Sequence, residues 1–155
     1  MSGATSPIPP GYHTVTPYLV IRDAAAAIDF YKTAFGAFEV MRMANPDGRV
    51  MHAEIKIGDS SIMVTDEWPE MGARGPDALG GSPVSLYLYV EDVDAIAARA
   101  AAAGAVALRP VRDEFYGDRA GTIKDPFGHV WHIATHTEDV PPDELRRRAE
   151  AMFKG

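Results

Sequence analysis

The side chains with the clearest capacity for chemistry are two histidines four residues apart, His132 and His136, and a histidine–carboxylate pair two apart, His52 and Glu54. On a β-strand both spacings place the pair on one face. A histidine facing a cavity can move a proton, ligate a metal or serve as a hydrogen-bonding wall. His52 and Glu54 can satisfy each other, or Arg119, as a buried polar pair, or they can do acid/base work. His132 and Glu54 are therefore the candidates for catalysis. The hydroxyl residues follow the same alternation: Thr16 shares a face with Tyr18 and Val20, and Ser85 shares one with Tyr87 and Tyr89. Rings with polar tips suit the wall of a site for an apolar, partly planar ligand, and they suit core packing equally. Trp68 and Tyr116 lie in stretches, Trp68-Pro69-Glu70-Met71 and Phe115-Tyr116-Gly117, that read as loops able to close over a cavity mouth or to pack on a partner.

Composition narrows what these groups can do. The chain has no cysteine, which removes disulfides, thiolate metal sites and thiol catalysis together. A net charge of −7 argues against nucleic acid as a partner, because a phosphate backbone is bound by concentrated Lys and Arg. The basic run Arg146-Arg147-Arg148 reads as the solvated face of a helix. An apolar share of 46% over 155 residues is enough for one domain with a real core. Neither a secretion signal in Met1–Tyr12 nor a long uncharged apolar run is visible, so the expectation is a cytoplasmic protein without a membrane span.

The elements that must position these groups come from an internal repeat. Tyr18-Leu19-Val20-Ile21-Arg22-Asp23 returns as Tyr87-Leu88-Tyr89-Val90-Glu91-Asp92, each leading into an alanine-rich helix that ends near a glycine, Gly36 or Gly104. Three strand-like segments follow each helix: Ala37–Ala44, Val50–Ile57 and Ser60–Thr65, then Ala105–Arg112, Arg119–Lys124 and His129–Thr135. Both copies read βαβββ, which predicts an α+β fold of two tandem modules in a single domain spanning 1–155. Module one covers about 14–66 and module two about 82–138, with a linker or flap at 67–81 and a terminal helix at about 141–154. In Val50–Ile57 the alternation sends Met51, Ala53, Ile55 and Ile57 toward the helix and His52, Glu54 and Lys56 to the opposite face. By the same parity Trp131 points into the core and His132 away from it. A curved sheet with a helix on one side leaves its other face open until a second module covers it, so the expected site lies between the modules.

Several motifs resemble those of the vicinal-oxygen-chelate superfamily, and within it the PhnB-like glyoxalase/bleomycin-resistance proteins. They are Thr16-Pro17-Tyr18-Leu19-Val20, Ala27-Ile28-Asp29-Phe30-Tyr31, Val50-Met51-His52-Ala53-Glu54, Phe115-Tyr116-Gly117-Asp118-Arg119 and Asp125-Pro126-Phe127-Gly128-His129-Val130-Trp131. The resemblance implies four metal-ligand positions, on the first and last strands of each module. Here they fall at Thr16, within Ser61-Ile62-Met63, at Ser85 and at His132, so one usual donor of four remains and no metal or other cofactor is expected. The function that follows is metal-independent binding or sequestration of a small hydrophobic or aromatic molecule, similar to bleomycin-resistance proteins. The alternative is a metal-dependent glyoxalase-like lyase or dioxygenase with a non-standard set made of His52, Glu54 and His132. Proteins of this kind commonly pair, and twofold dimers are the commonest oligomer, so a homodimer is expected.

Overall fold

The computed structural model describes residues 3–154. The chain divides between Gly80 and Gly81 into two compact units. The first contains β1 (Tyr18–Ile21), α1 (Ala24–Phe35), β2 (Phe38–Ala44), β3 (Val50–Ile57) and β4 (Ser60–Asp66), then a 3-10 turn at Pro69–Met71 and a short helix α2 (Pro76–Leu79). The second contains β5 (Ser85–Tyr89), α3 (Val93–Ala102), β6 (Val106–Asp113), β7 (Asp118–Lys124), β8 (Val130–His136) and α4 (Pro142–Lys154). The helix in each unit carries the chain from one sheet edge to the other, and three antiparallel strands then work back. The strand orders are β1-β4-β3-β2 and β5-β8-β7-β6, with β1 parallel to β4 and β5 parallel to β8. Each unit is thus an open four-stranded mixed sheet, and the α+β fold of two βαβββ modules is as the repeat predicts.

Both principal helices begin as their acidic caps require. Asp23 accepts from the Ala26 N–H and Asp92 from the Ala95 N–H, each filling one donor that the first helical turn leaves open. A second residue supports each start from the end of the last strand. The buried Asp66 accepts from the Ala24 N–H and the Val50 N–H, while Thr135 accepts from the Val93 N–H and donates to the Val90 carbonyl. Ladder positions Asp66 and Thr135 are therefore one device with two side chains.

The cores differ in where their bulk comes from. Helix α1 brings Phe30, Tyr31 and Phe35, with the Tyr31 and Phe35 rings stacked at 5.9 Å. Helix α3 offers only Val93, Ile96 and Ala100, and the space is filled from the sheet by Trp131, which is 2% exposed. Its indole N–H donates to the buried Asp125, whose other oxygen accepts from the Phe127 and His129 N–H groups. The Asp-Pro-Phe-Gly turn thereby closes β7 to β8 and satisfies the one polar atom of the largest core ring.

Three expectations need correction. Met51 does not face the helix but is half exposed, because the β2–β3 register slips between Met43 and Ala44 and Val50 takes the inward place. A bulge inserts one residue and breaks simple alternation. The 67–81 stretch is not a bare linker either. It holds the 3-10 turn, α2, and a Trp68–Ala73 bridge, with Gly75 and Pro76 buried. Finally, Arg146 and Arg147 pair with acids within α4, but Arg148 reaches the Phe115 carbonyl and the Glu138 carboxylate, tying the helix to its unit. No helix among the described residues is long and apolar enough to cross a membrane.

Candidate functional site

The ladders show which residues of the two units stand in equivalent places. In the first, Met63 is the partner of both Tyr18 and Glu54; in the second, His132 is the partner of both Tyr87 and Thr122. Directly paired residues share a face, so Tyr18, Glu54 and Met63 lie on one open sheet face, and Tyr87, Thr122 and His132 on the other. The fourth-strand ligand position that the sequence leaves within Ser61-Ile62-Met63 is accordingly Met63.

On the first face, His52 Nε2 stands 3.4 Å from Glu54 Oε1, and the Tyr18 ring lies 6.3 Å from the His52 ring. Thr16 is half-buried just ahead of β1. Sequence reasoning placed nothing before residue 14 at the site, yet the chain at Gly11–Tyr12 lies along this face. The Ser61 hydroxyl donates to the Gly11 carbonyl, and the Tyr12 phenol comes beside the Glu54 carboxylate. Burial, with the Glu54 carboxylate beside it, pushes the Tyr12 phenol up to about 12. Only a distant pairing could have revealed this residue, since a segment outside the repeat carries no periodic signal. Trp68 does not form a free flap. Its indole N–H donates to Thr65 and the Arg49 guanidinium lies 3.7 Å over its ring.

The second face is more heavily hydrogen-bonded. His132 Nδ1 meets the Thr122 hydroxyl and Nε2 meets the Ser85 hydroxyl, both at 3.0 Å. One hydroxyl donates to the bare ring nitrogen and the other accepts from the N–H. The Tyr87 ring stacks on the imidazole at 5.7 Å. The Tyr87 and Tyr89 hydroxyls both donate to Asp118 Oδ2 at 2.9 Å, and His136 Nδ1 meets Asp118 Oδ1 at 2.8 Å. Asp118, in sequence just one residue of the motif at 115–119, is buried and organises this face. Burial drives its carboxyl up, and the hydrogen bonds from His136, Tyr89 and Tyr87 together outweigh that and hold it below the ordinary carboxylate value. His136 is raised in turn, by its bonds to Asp118 and then to Asp139. Burial, followed by the nearby Tyr116 and the hydrogen bond to Asp118, lifts Tyr87 far above an ordinary phenol, so it stays a protonated donor.

Tyr116 reaches this face, in a shallow hollow of ≈ 30 Å³ that also involves Tyr87, Thr122 and His132. Arg119 does not. It alternates with Asp118 onto the helix side, where Asp94 holds it at 2.8 and 3.0 Å and Asp113 at 3.3 Å. The expectation that it satisfies His52 and Glu54 is thus replaced by an ion pair within its own unit.

Of the four positions where the family resemblance implies ligands, Thr16, Met63 and Ser85 offer no hard anionic or imidazole donor, and His132 has both ring nitrogens engaged by hydroxyls. Among the described residues no three His, Asp or Glu side chains are grouped to hold a metal ion. This donor set does not fit the family's metal.

An uncharacterized protein of Mycobacterium tuberculosis strain H37Rv is 43% identical over 144 residues, covering 91% of this chain and 85% of that protein. Among solved structures, TioX from Micromonospora sp. ML1 matches with a TM-score of 0.62 at 26% identity, over 80% of this chain and 98% of that one. A PhnB protein from Bacillus cereus shares the fold, with a TM-score of 0.63 at 20% identity over 79% of this chain and 99% of that one. The model of the Glyoxalase/Bleomycin resistance protein/Dioxygenase superfamily matches residues 12–133, from Tyr12 on the first open face to Ile133 in β8, and the chain belongs to that superfamily.

Proposed function

We propose that this protein binds a small hydrophobic or aromatic molecule without using a metal, in the manner of sequestering members of its superfamily, and that it does so as a homodimer. One observation carries the reading. The single ligand position that keeps a histidine has that ring clamped between Ser85 and Thr122 and stacked on Tyr87, which makes it a wall for a flat ligand and leaves no lone pair for an ion. Exposed rings support it: Tyr18, Tyr87 and Tyr89 are 54%, 46% and 59% exposed on the open faces, where apolar surface of this kind marks a place for a ligand or partner.

The test is native mass spectrometry with elemental analysis of protein purified from cells. The expected result is no stoichiometric transition metal, with His132→Ala unchanged in metal content. About one Zn, Ni, Mn or Fe per chain, lost in His132→Ala, would overturn the reading and move the protein to the metal-dependent lyase or dioxygenase class.

A further inference from the structure

Strand β6 is bent by its own sequence. Its ladder with β7 pairs Ala107 with Ile123 and then Arg109 with Thr122, so Leu108 is an extra residue; the next pair is Arg112 with Ala120, so Pro110 and Val111 stand against Gly121 alone. In a regular strand Arg109 would share a face with Ala107, opposite the helix-facing Ile123. The bulge turns it over to the face of Thr122 and His132, as bulges re-aim side chains. Two residues permit this. Pro110 has no N–H to lose on an edge strand. Gly121 has no Cβ, which would stand 2.9 Å from Val111 Cγ2 and 3.1 Å from the Arg109 carbonyl oxygen.

The result brings the exposed Arg109 into the lining of the hollow with Tyr87, Glu114, Tyr116, Thr122 and His132. Most of the other polar groups there are already committed. Glu114 is taken by Arg112 at 2.8 Å, the Tyr87 hydroxyl by Asp118, and the His132 nitrogens by Thr122 and Ser85. Arginines elsewhere are mostly paired: Arg22 with Asp77, Arg42 with Glu39, Arg119 with Asp94. Arg109 has no carboxylate or carbonyl partner among the described residues, in a chain with a net charge of −7. The repeat supplies an internal control. The first unit has the same bulge, between Glu39 and Met41, and there Met41 stands opposite Glu54 as Arg109 stands opposite Thr122. The bulge therefore does not need an arginine, and the charge in the second unit is a separate feature.

We propose that Arg109 and this hollow form an anion-recognising subsite, and that the ligand is a planar aromatic molecule bearing a carboxylate. The ring would stack against Tyr87 and His132, and the carboxylate would take the guanidinium fork, which matches it in shape and charge. The inference rests on the small-molecule reading and narrows it to an acidic class that overall charge alone would repel.

Titration calorimetry with 2-naphthoate and its uncharged analogue 2-naphthamide tests it, on wild type and on Arg109→Met, which installs the residue of the first unit. The expected preference for naphthoate is about tenfold or more, the usual reach of one charge-assisted pair. Arg109→Met should bring naphthoate to the affinity of the amide and leave the amide unchanged, with the thermal melt of wild type. Equal affinity for both probes in wild type, or naphthoate binding that survives Arg109→Met, overturns the subsite while leaving the small-molecule reading in place. Failure of both probes to bind wild type overturns both.

Discussion

At the scale of single residues, the second open face is governed by which hydrogen bonds each group has already made. His132 bridges Thr122 and Ser85 and is half-buried, so truncating it removes a wall and leaves two small hydroxyls that water can reach. His132→Ala should cost at most about 1–2 kcal/mol, the usual cost of unmaking partly buried hydrogen bonds. Urea denaturation checks this, and a loss well beyond that range would mean that His132 holds the fold and not just the face. Asp118 and His136 make a different prediction, in pH. His136 sits above its ordinary 6.5 in the folded state, so its contribution is complete below 6.5 and is lost as pH rises through the raised value. Asp118 sits below its ordinary 3.8, so its contribution is present above 3.8 and is lost as pH falls through the depressed value. The stability difference between wild type and Asp118→Asn should therefore be largest between about pH 4 and 6.5 and should shrink at higher pH. A difference that stays flat from pH 4 to 9 would show that the ion pair adds nothing.

At the scale of elements, the two helix starts look alike in sequence and differ in backbone. Asp92 caps α3 from an extended conformation, while Asp23 caps α1 with φ 65, in the left-handed region that a short polar side chain tolerates. Asp92→Ala should cost about 1 kcal/mol, the loss of one cap. Asp23→Ala should cost about 1 kcal/mol more, because alanine must also hold the left-handed conformation. Melting curves of the two variants side by side decide it, and equal losses would show that α1 relaxes its first turn. The Tyr116 loop is less forgiving. Gly117 has φ 97 and a Cβ there would stand 2.2 Å from the Glu138 carbonyl oxygen. Thr137 and Glu138 both donate backbone N–H groups to the Gly117 carbonyl, so the loop and the segment after β8 are one packed piece. Gly117→Ala should lower stability by about 2–4 kcal/mol, combining left-handed strain with a backbone overlap, and a melt within experimental error of wild type would contradict this geometry.

At the scale of the whole molecule, the apolar surface left outside the sheets bears on assembly. Helix α4 has no buried residue; Met152 and Phe153 are 55% and 90% exposed, and in the 67–81 stretch Met71 is 82% exposed. Large apolar side chains in that state are what a twofold contact would cover. Light scattering at tens of micromolar, an order of magnitude suited to ordinary dimer affinities, should give twice the chain mass of 16.7 kDa. The double substitution Met71→Asp with Phe153→Asp should shift it toward the monomer. A wild-type mass of one chain at that concentration would remove the dimer.

Periodicity and caps carried the reading of the elements, because they are local. Alternation over residues 53–57, acids before alanine-rich runs, and Pro/Gly turns are each settled within a few residues, and the repeat shows them twice over. Hence the βαβββ order, the core place of Trp131 and the shared face of Tyr87 and Tyr89 were legible without coordinates, while the register that sets His132 beside Tyr87 was not. What alternation could not decide is any position beyond a bulge, since one inserted residue inverts parity downstream. Met51 turned outward and Arg109 came to the face of His132 for that reason. Pairings between distant segments were equally out of reach: Tyr12 against Glu54, Asp94 against Arg119, Asp118 gathering Tyr87, Tyr89 and His136. Those depend on which strands lie side by side, and that is a property of the folded sheet and not of spacing along the chain.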